Sequence, residues 1–93
     1  MKKYKLSDVI TLLQKISSRF INGIQETDEL YADCGLDSRE FIHVIREIEL
    51  QLNHDIDDED LLEAQLITVS DLINFINELN DKFHTKNIIY ENN

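Results

Sequence analysis

The chain has no proline and no tryptophan, one cysteine, and two glycines in 93 residues. Each scarcity excludes something. A single cysteine, Cys34, leaves no partner for an intramolecular disulfide. With only Gly23 and Gly35 to enter left-handed turns freely, and no proline to punctuate loops, a many-stranded sheet would lack its turns. An all-α domain is the expected class. No segment approaches the roughly 18 consecutive apolar residues that a membrane helix needs. The opening stretch "MKKYKLSDVITLLQKI" has early lysines, but Asp8 and Gln14 interrupt what a signal peptide would need as its apolar centre. A cytoplasmic protein with no membrane partner is the expectation. Cations are scarce too: 9 Lys and Arg stand against 19 Asp and Glu, a net charge of −10. A nucleic-acid partner would require a basic face to neutralise phosphates, so that class is set aside. Protein partners, or high solubility alone, suit the acidic balance.

Apolar residues make up 42% of the chain, enough for one modest core in one small domain. Leu6, Val9, Ile10, Leu13, Ile16 and Phe20 recur at three- and four-residue intervals, which predicts a helix over about 7–20. Ser7 or Asp8 is placed to cap it, and Gly23 stands where a left-handed terminus would suit it. Residues 21–37 have no clean period, yet contain Ile24, Leu30 and Tyr31, as expected of a long loop packed over the domain. A second helix is predicted over about 38–53, with Phe41, Val44, Ile45, Ile48 and Leu52 inward and Ile42 at the margin. Asp37 as N-cap with Glu40 three residues on is a variant of the capping box. In "HDIDDEDLLEAQ", Asp57 or Asp58 can start a short helical turn carrying Leu61 and Leu62. "ITVSDLINFINELNDKF" predicts the last helix, capped by Thr68, with Val69, Leu72, Ile73, Ile76 and Leu79 on its apolar face. The domain is expected to span 1–83. Residues 84–93 are polar apart from Ile88, Ile89 and Tyr90, and are expected to form a disordered tail. Three main helices and a short one, with a long first loop, can bury their stripes in a bundle.

Catalytic constellations are poorly supported. His43 lies five positions after Ser38, about 140° around a helix, so no Ser–His dyad forms there. His54 and His84 fall at a helix end and in the tail. "DIDDED" (55–60) lacks the ligand spacing, turn glycine and distal glutamate of a calcium loop, and reads as a solvated helix start. Cys34 and the histidines lack zinc spacing. Cys34 itself reads as a small core side chain rather than a reactive thiol.

Ser38 remains. By capping physics alone, Asp37-Ser38 before a helical run is ordinary. The wider arrangement is not. Gly35-Leu36-Asp37-Ser38 at the head of the second helix, "EIELQLNHDID" (47–57) at its far end and "ITVSDLINFI" (67–76) at the start of the last helix together resemble the acyl carrier protein family over roughly residues 6–80. That resemblance implies an acyl-carrier-like four-helix bundle and no catalytic activity of its own. It implies that Ser38 is the attachment site of 4′-phosphopantetheine, joined through a phosphodiester by a separate phosphopantetheinyl transferase that uses coenzyme A and Mg²⁺. Asp37, beside it, would help orient that transferase. The arm's thiol would carry an acyl group as a thioester, and acyl-loading and acyl-processing enzymes would do the chemistry.

One departure stands out. The family's leucine after the serine is Arg39 here. Arg39, His43 and Arg46 stand at i, i+4 and i+7, forming one stripe alongside Glu40 and Glu47, where fatty-acid carriers present an acidic docking surface. Local pairs, Arg46 with Glu49 or His43 with Glu47, would account for the cations at a few tenths of a kcal/mol each. Alternatively, Arg39, Glu40, His43, Arg46 and Glu47 dock partners other than the housekeeping fatty-acid enzymes. The resemblance therefore leads to a stand-alone, monomeric acyl carrier of a specialised biosynthetic pathway (polyketide, hybrid or related). A general fatty-acid carrier and an aminoacyl or D-alanyl carrier follow in that order. The rival of another class is an unmodified acidic interaction module with the same fold.

Overall fold

A computed structural model describes residues 3–16 and 23–91, with side chains as far as Phe83. Its elements are α1 (Leu6–Ile16), α2 (Ser38–Leu52), α3 (Asp58–Ala64) and α4 (Val69–Glu91). Among the described residues the only extended pairing is an isolated antiparallel bridge between Glu29 and Thr68. The expected all-α, acyl-carrier-like bundle is what forms. The first helix's expected final turn, with Phe20, lies outside the described residues.

α1 packs on both α2 and α4. Val9, Leu12 and Leu13 meet Val44, Ile45 and Ile48 of α2 and Val69, Leu72, Ile73, Phe75, Ile76 and Leu79 of α4 in one core. The inward stripes predicted for α2 and α4 are buried or half-buried in it. The start of α1 differs from expectation. Lys5 precedes the helix, its carbonyl accepts from the amides of Asp8 and Val9, and its own N–H donates to Asp8 Oδ2 at 2.9 Å. Asp8 thus serves from inside the first turn, and Ser7 stands two residues past the cap position at Lys5.

Several core residues lie off the periodic stripes. Leu12 is buried beside Leu13, Phe75 beside Ile76, and Ile56 and Leu36 are buried from loops. Tyr4 is buried ahead of α1: its N–H donates to Asn77 Oδ1 at 2.7 Å, Asn77 Nδ2 donates back to the Tyr4 carbonyl, and its hydroxyl reaches Gln51 Oε1. Burial raises the Tyr4 phenol above its usual range. Conversely, Tyr31, expected in a loop packed over the domain, is 49% exposed, and Leu62 of the short third helix is 79% exposed. α3 buries no residue fully and rests on the core through half-buried Leu61 and Ala64, so Leu62 on its outer side has nothing to pack against. Where the sequence pattern expects a tail, the backbone of 84–91 continues α4 as helix. Extending a helix already nucleated adds one backbone bond per residue fixed, so polar composition alone does not end it.

The long loop from Gly23 to Asp37 is secured against the entry to α4. Leu30 N–H donates to the Ile67 carbonyl (2.8 Å), Val69 N–H to Asp28 (2.9 Å) and Ser70 N–H to Glu26 (2.9 Å). Leu30 is fully buried between these bonds. Thr68 caps α4 as expected. Asp71 N–H donates to Thr68 Oγ1, and Asp71 Oδ2 accepts from the amides of Thr68 and Ile67. The Thr68 amide chiefly, and that of Ile67, hold the Asp71 carboxyl below its usual range against a smaller opposing effect of burial.

Two outcomes follow. Leu30→Ala should cost about 2–5 kcal/mol, read as a lower urea midpoint at unchanged slope; a loss below about 1 kcal/mol would show the loop is held by its backbone bonds alone. Because the folded Asp71 carboxyl is depressed, its contribution is complete above the unfolded value of about 3.9 and is lost as pH falls through the lower folded value. The stability gap between wild type and Asp71→Asn should therefore be constant from pH 7 to 5 and close below about pH 4. A gap that persists at the lowest pH where the protein stays folded would contradict this.

Candidate functional site

Four local features set the junction between the long loop and α2. Gly35 has φ +76°, a conformation that side chains rarely adopt; a Cβ there would meet no neighbour, so the requirement is conformational rather than spatial. Leu36 follows, buried, its N–H bonded to the Leu30 carbonyl at 3.0 Å. Asp37 is extended (φ −98°, ψ 175°) and forms the full capping box: Glu40 N–H donates to Asp37 Oδ1 (2.8 Å) and Asp37 N–H to Glu40 Oε1 (3.1 Å). One turn on, the half-buried Phe41 ring lies against Tyr31 with centroids 5.9 Å apart. The chain is thus anchored just before and just after residue 38.

Ser38 is the first residue of α2 and is exposed. Its hydroxyl makes no hydrogen bond among the described residues, because the capping is done by its neighbours. A helix N-terminus presents free amides and the positive end of the helix dipole, a setting that accommodates an added phosphate charge. The carboxylates of Asp37 and Glu40 oppose that charge, but both are already turned onto backbone amides. An exposed, unengaged hydroxyl at a rigid helix start suits a phosphodiester-linked arm.

The other candidates separate from this site. Cys34 is half-buried, and burial first, then Asp28 and Asp33, raises its thiol, the opposite of what a nucleophilic thiolate needs. His54 stacks on Phe83 with centroids 3.8 Å apart, and its Nδ1 lies 2.9 Å from the Asp55 carbonyl. The side chain of His84 lies outside the described residues. Among the described residues no three His, Cys, Asp or Glu side chains form a metal-holding group, and no helix is long and apolar enough to cross a membrane.

On α2, Arg39, His43 and Arg46 are exposed, and Glu40 and Glu47 are half-buried. The local pairs expected to neutralise the cations do not form. Glu47 instead meets Lys15 of α1 at 3.9 Å, and Glu49 Oε2 accepts from Ile56 N–H at 2.8 Å. Glu49 is drawn to the turn that ends α2, where Asn53 takes the left-handed conformation (φ 55°, ψ 42°) and the His54 amide returns to the Glu49 carbonyl. Sequence reasoning also missed Leu50. It is 74% exposed and continues the Arg39–His43–Arg46 stripe by four residues; a leucine off the inward stripe was the available signal.

The sequence model of the phosphopantetheine attachment site matches residues 7–76, well over half of the chain. The chain belongs to that family of carrier proteins, whose prosthetic group is 4′-phosphopantetheine held covalently. Such domains work with a phosphopantetheinyl transferase and with biosynthetic enzymes, and are in general carriers rather than catalysts. No curated protein matches the chain.

Capping and exposure should be separable by mutation. Asp37→Ala is expected to lower stability by about 1 kcal/mol in denaturant unfolding, while Ser38→Ala changes it by less than about 0.5 kcal/mol. Equal losses in the two variants would mean that the Ser38 hydroxyl is part of the cap.

Proposed function

We propose that Ser38 bears the 4′-phosphopantetheine arm and that the protein is an acyl carrier of a specialised biosynthetic pathway. The observation that carries the first part is the exposed Ser38 hydroxyl, unengaged at the first position of α2 while Asp37 and Glu40 hold the helix start on either side of it. In the transferase reaction the Ser38 oxygen displaces adenosine bisphosphate from coenzyme A, forming one phosphodiester as the pyrophosphate bond breaks, and its proton leaves to the transferase. When bound, the arm supplies a terminal thiol that holds an acyl group as a thioester. The residues of this chain fix the point of attachment: Asp37 orients the junction toward the transferase, and Arg39, Glu40, His43, Arg46 and Glu47 form the surrounding docking face. The specialised pathway rests on that face, where an arginine follows the serine and exposed cations run down the helix instead of the acidic display of fatty-acid carriers.

Intact mass spectrometry tests the assignment. Incubation with coenzyme A, Mg²⁺ and a broad-specificity phosphopantetheinyl transferase should add one phosphopantetheine to the wild type and none to Ser38→Ala. A gain that survives in Ser38→Ala would move the attachment to another hydroxyl. A folded wild type that gains nothing would turn the reading to an unmodified interaction module, with Arg39 as the obstacle.

A further inference from the structure

The acidic balance of the whole chain does not extend to the outer face of α2, because each carboxylate of that helix is committed elsewhere. Glu40 accepts from the Asp37 amide, Glu47 meets Lys15, and Glu49 accepts from the Ile56 amide. All three are half-buried. Arg39 and Arg46 are exposed, and among the described residues no ion pair joins either to a carboxylate. With His43 between them and Leu50 one turn further, they occupy positions i, i+4, i+7 and i+11 along one helical face, so the exposed stripe reads cation, imidazole, cation, leucine. Leu50 stands as a ridge between two surface grooves. One, of about 380 Å³, runs between α1 and α2 and is lined by Lys15, Ile16, His43, Arg46 and Glu47 beside it. The other, of about 640 Å³, lies toward the C-terminal end of α2, shares Arg46 and Leu50 with the first, and is lined also by Glu49, His54 and Asp55.

We infer that this stripe docks a partner protein whose contact surface carries carboxylates around an apolar socket, the carboxylates meeting Arg39 and Arg46 and the socket taking Leu50. Charge complementarity selects this occupant. A basic partner would face two arginines, with Glu47 paired to Lys15 and Glu40 and Glu49 bonded to backbone amides. A second copy of the chain meeting this face antiparallel would set Arg46 against His43 and gather four arginines into one contact. The leucine contributes apolar burial of about 1.5–3 kcal/mol at best if fully covered, which makes it the natural anchor of the contact, while the cations fix register. This inference deepens the carrier reading above, since the stripe begins at the residue after the proposed attachment point and a partner bound there stands beside the arm.

The test pairs two synthetic helical peptides, one with glutamates flanking a leucine–phenylalanine seam and one with lysines in place of those glutamates, titrated into the ¹⁵N-labelled protein in its apo form and after transferase treatment. The glutamate peptide should shift the amides of Arg39, His43, Arg46 and Leu50. The double reversal Arg39→Glu with Arg46→Glu should weaken it about tenfold, and Leu50→Ser several-fold. All of these side chains are exposed, so circular dichroism should match wild type. Absence of shifts on α2, affinity unchanged by the reversal, or preference of this face for the lysine peptide would each overturn the inference. The carrier reading is scored separately by the mass gain at Ser38: a protein that gains the arm yet fails to bind the glutamate peptide loses the docking inference alone, and one that binds without gaining the arm loses the attachment alone.

Discussion

The structure depends on how a long loop with almost no internal secondary structure satisfies its backbone. Fifteen residues from Gly23 to Asp37 bring the chain to the head of α2, and a buried loop amide without a partner would cost roughly 1–3 kcal/mol. The solution is to borrow the entry of α4. Three amide–carbonyl bonds, Leu30 to Ile67, Val69 to Asp28 and Ser70 to Glu26, join the two segments, and Leu30 is buried at the join. The same Ile67 and Thr68 positions are fixed from the other side by Asp71. The cap of α4 and the path of the loop are therefore one construction, and the Leu36 amide bonded back to the Leu30 carbonyl passes that rigidity to the start of α2.

Much of this was legible in the sequence because helical periodicity and capping are local. Asp37 with Glu40 and Thr68 before α4 stand as their spacing predicted, and the inward stripes of α2 and α4 entered the core. The stripes failed where tertiary packing surrounds a helix on more than one side. α1 lies against both α2 and α4, so Leu12 and Leu13 are buried together, and Phe75 is buried off the main stripe of α4, on the side where Ala64 of α3 lies. Tyr4 illustrates a different limit. Its burial rests on Asn77 and Gln51, residues 73 and 47 positions away, and no local pattern encodes such partners. The site divides the same way. The exposure of Ser38 follows from the cap written next to it, whereas the fate of Glu47 and Glu49 depends on Lys15 and on the turn at Ile56, contacts that a reading of α2 alone assigns to His43 and Arg46 instead.

That reassignment changes the electrostatics of the proposed docking face. At −10 the whole chain repels an acidic partner at long range, yet charges beyond a Debye length of about 8 Å are largely screened at physiological salt. What a partner meets at contact is the local display, and along the proposed stripe on α2 that display is Arg39, His43, Arg46 and Leu50. Net charge and the charge of the proposed docking stripe thus have different signs in one small domain. The first favours solubility and discourages loose association with acidic surfaces; the second rewards a surface whose carboxylates are spaced to the stripe. Specificity of this kind comes from the difference between the two rather than from strong binding, which suits a carrier that must leave each enzyme after visiting it.

The proposed attachment at Ser38 fits a further requirement, that adding and removing a charged arm should not disturb the fold. Were Ser38 itself the N-cap, its oxygen would be needed by a backbone amide, and esterification would take it away. Here Asp37 and Glu40 satisfy the exposed amides reciprocally, and Ser38 is left as the first helical residue with its oxygen unused. A phosphate at that position gains from the helix dipole and loses to the two neighbouring carboxylates, effects of similar size that act in opposite directions. The helix start can therefore be nearly indifferent to whether the arm is present, and the energy of modification is spent on the phosphodiester rather than on remodelling the protein.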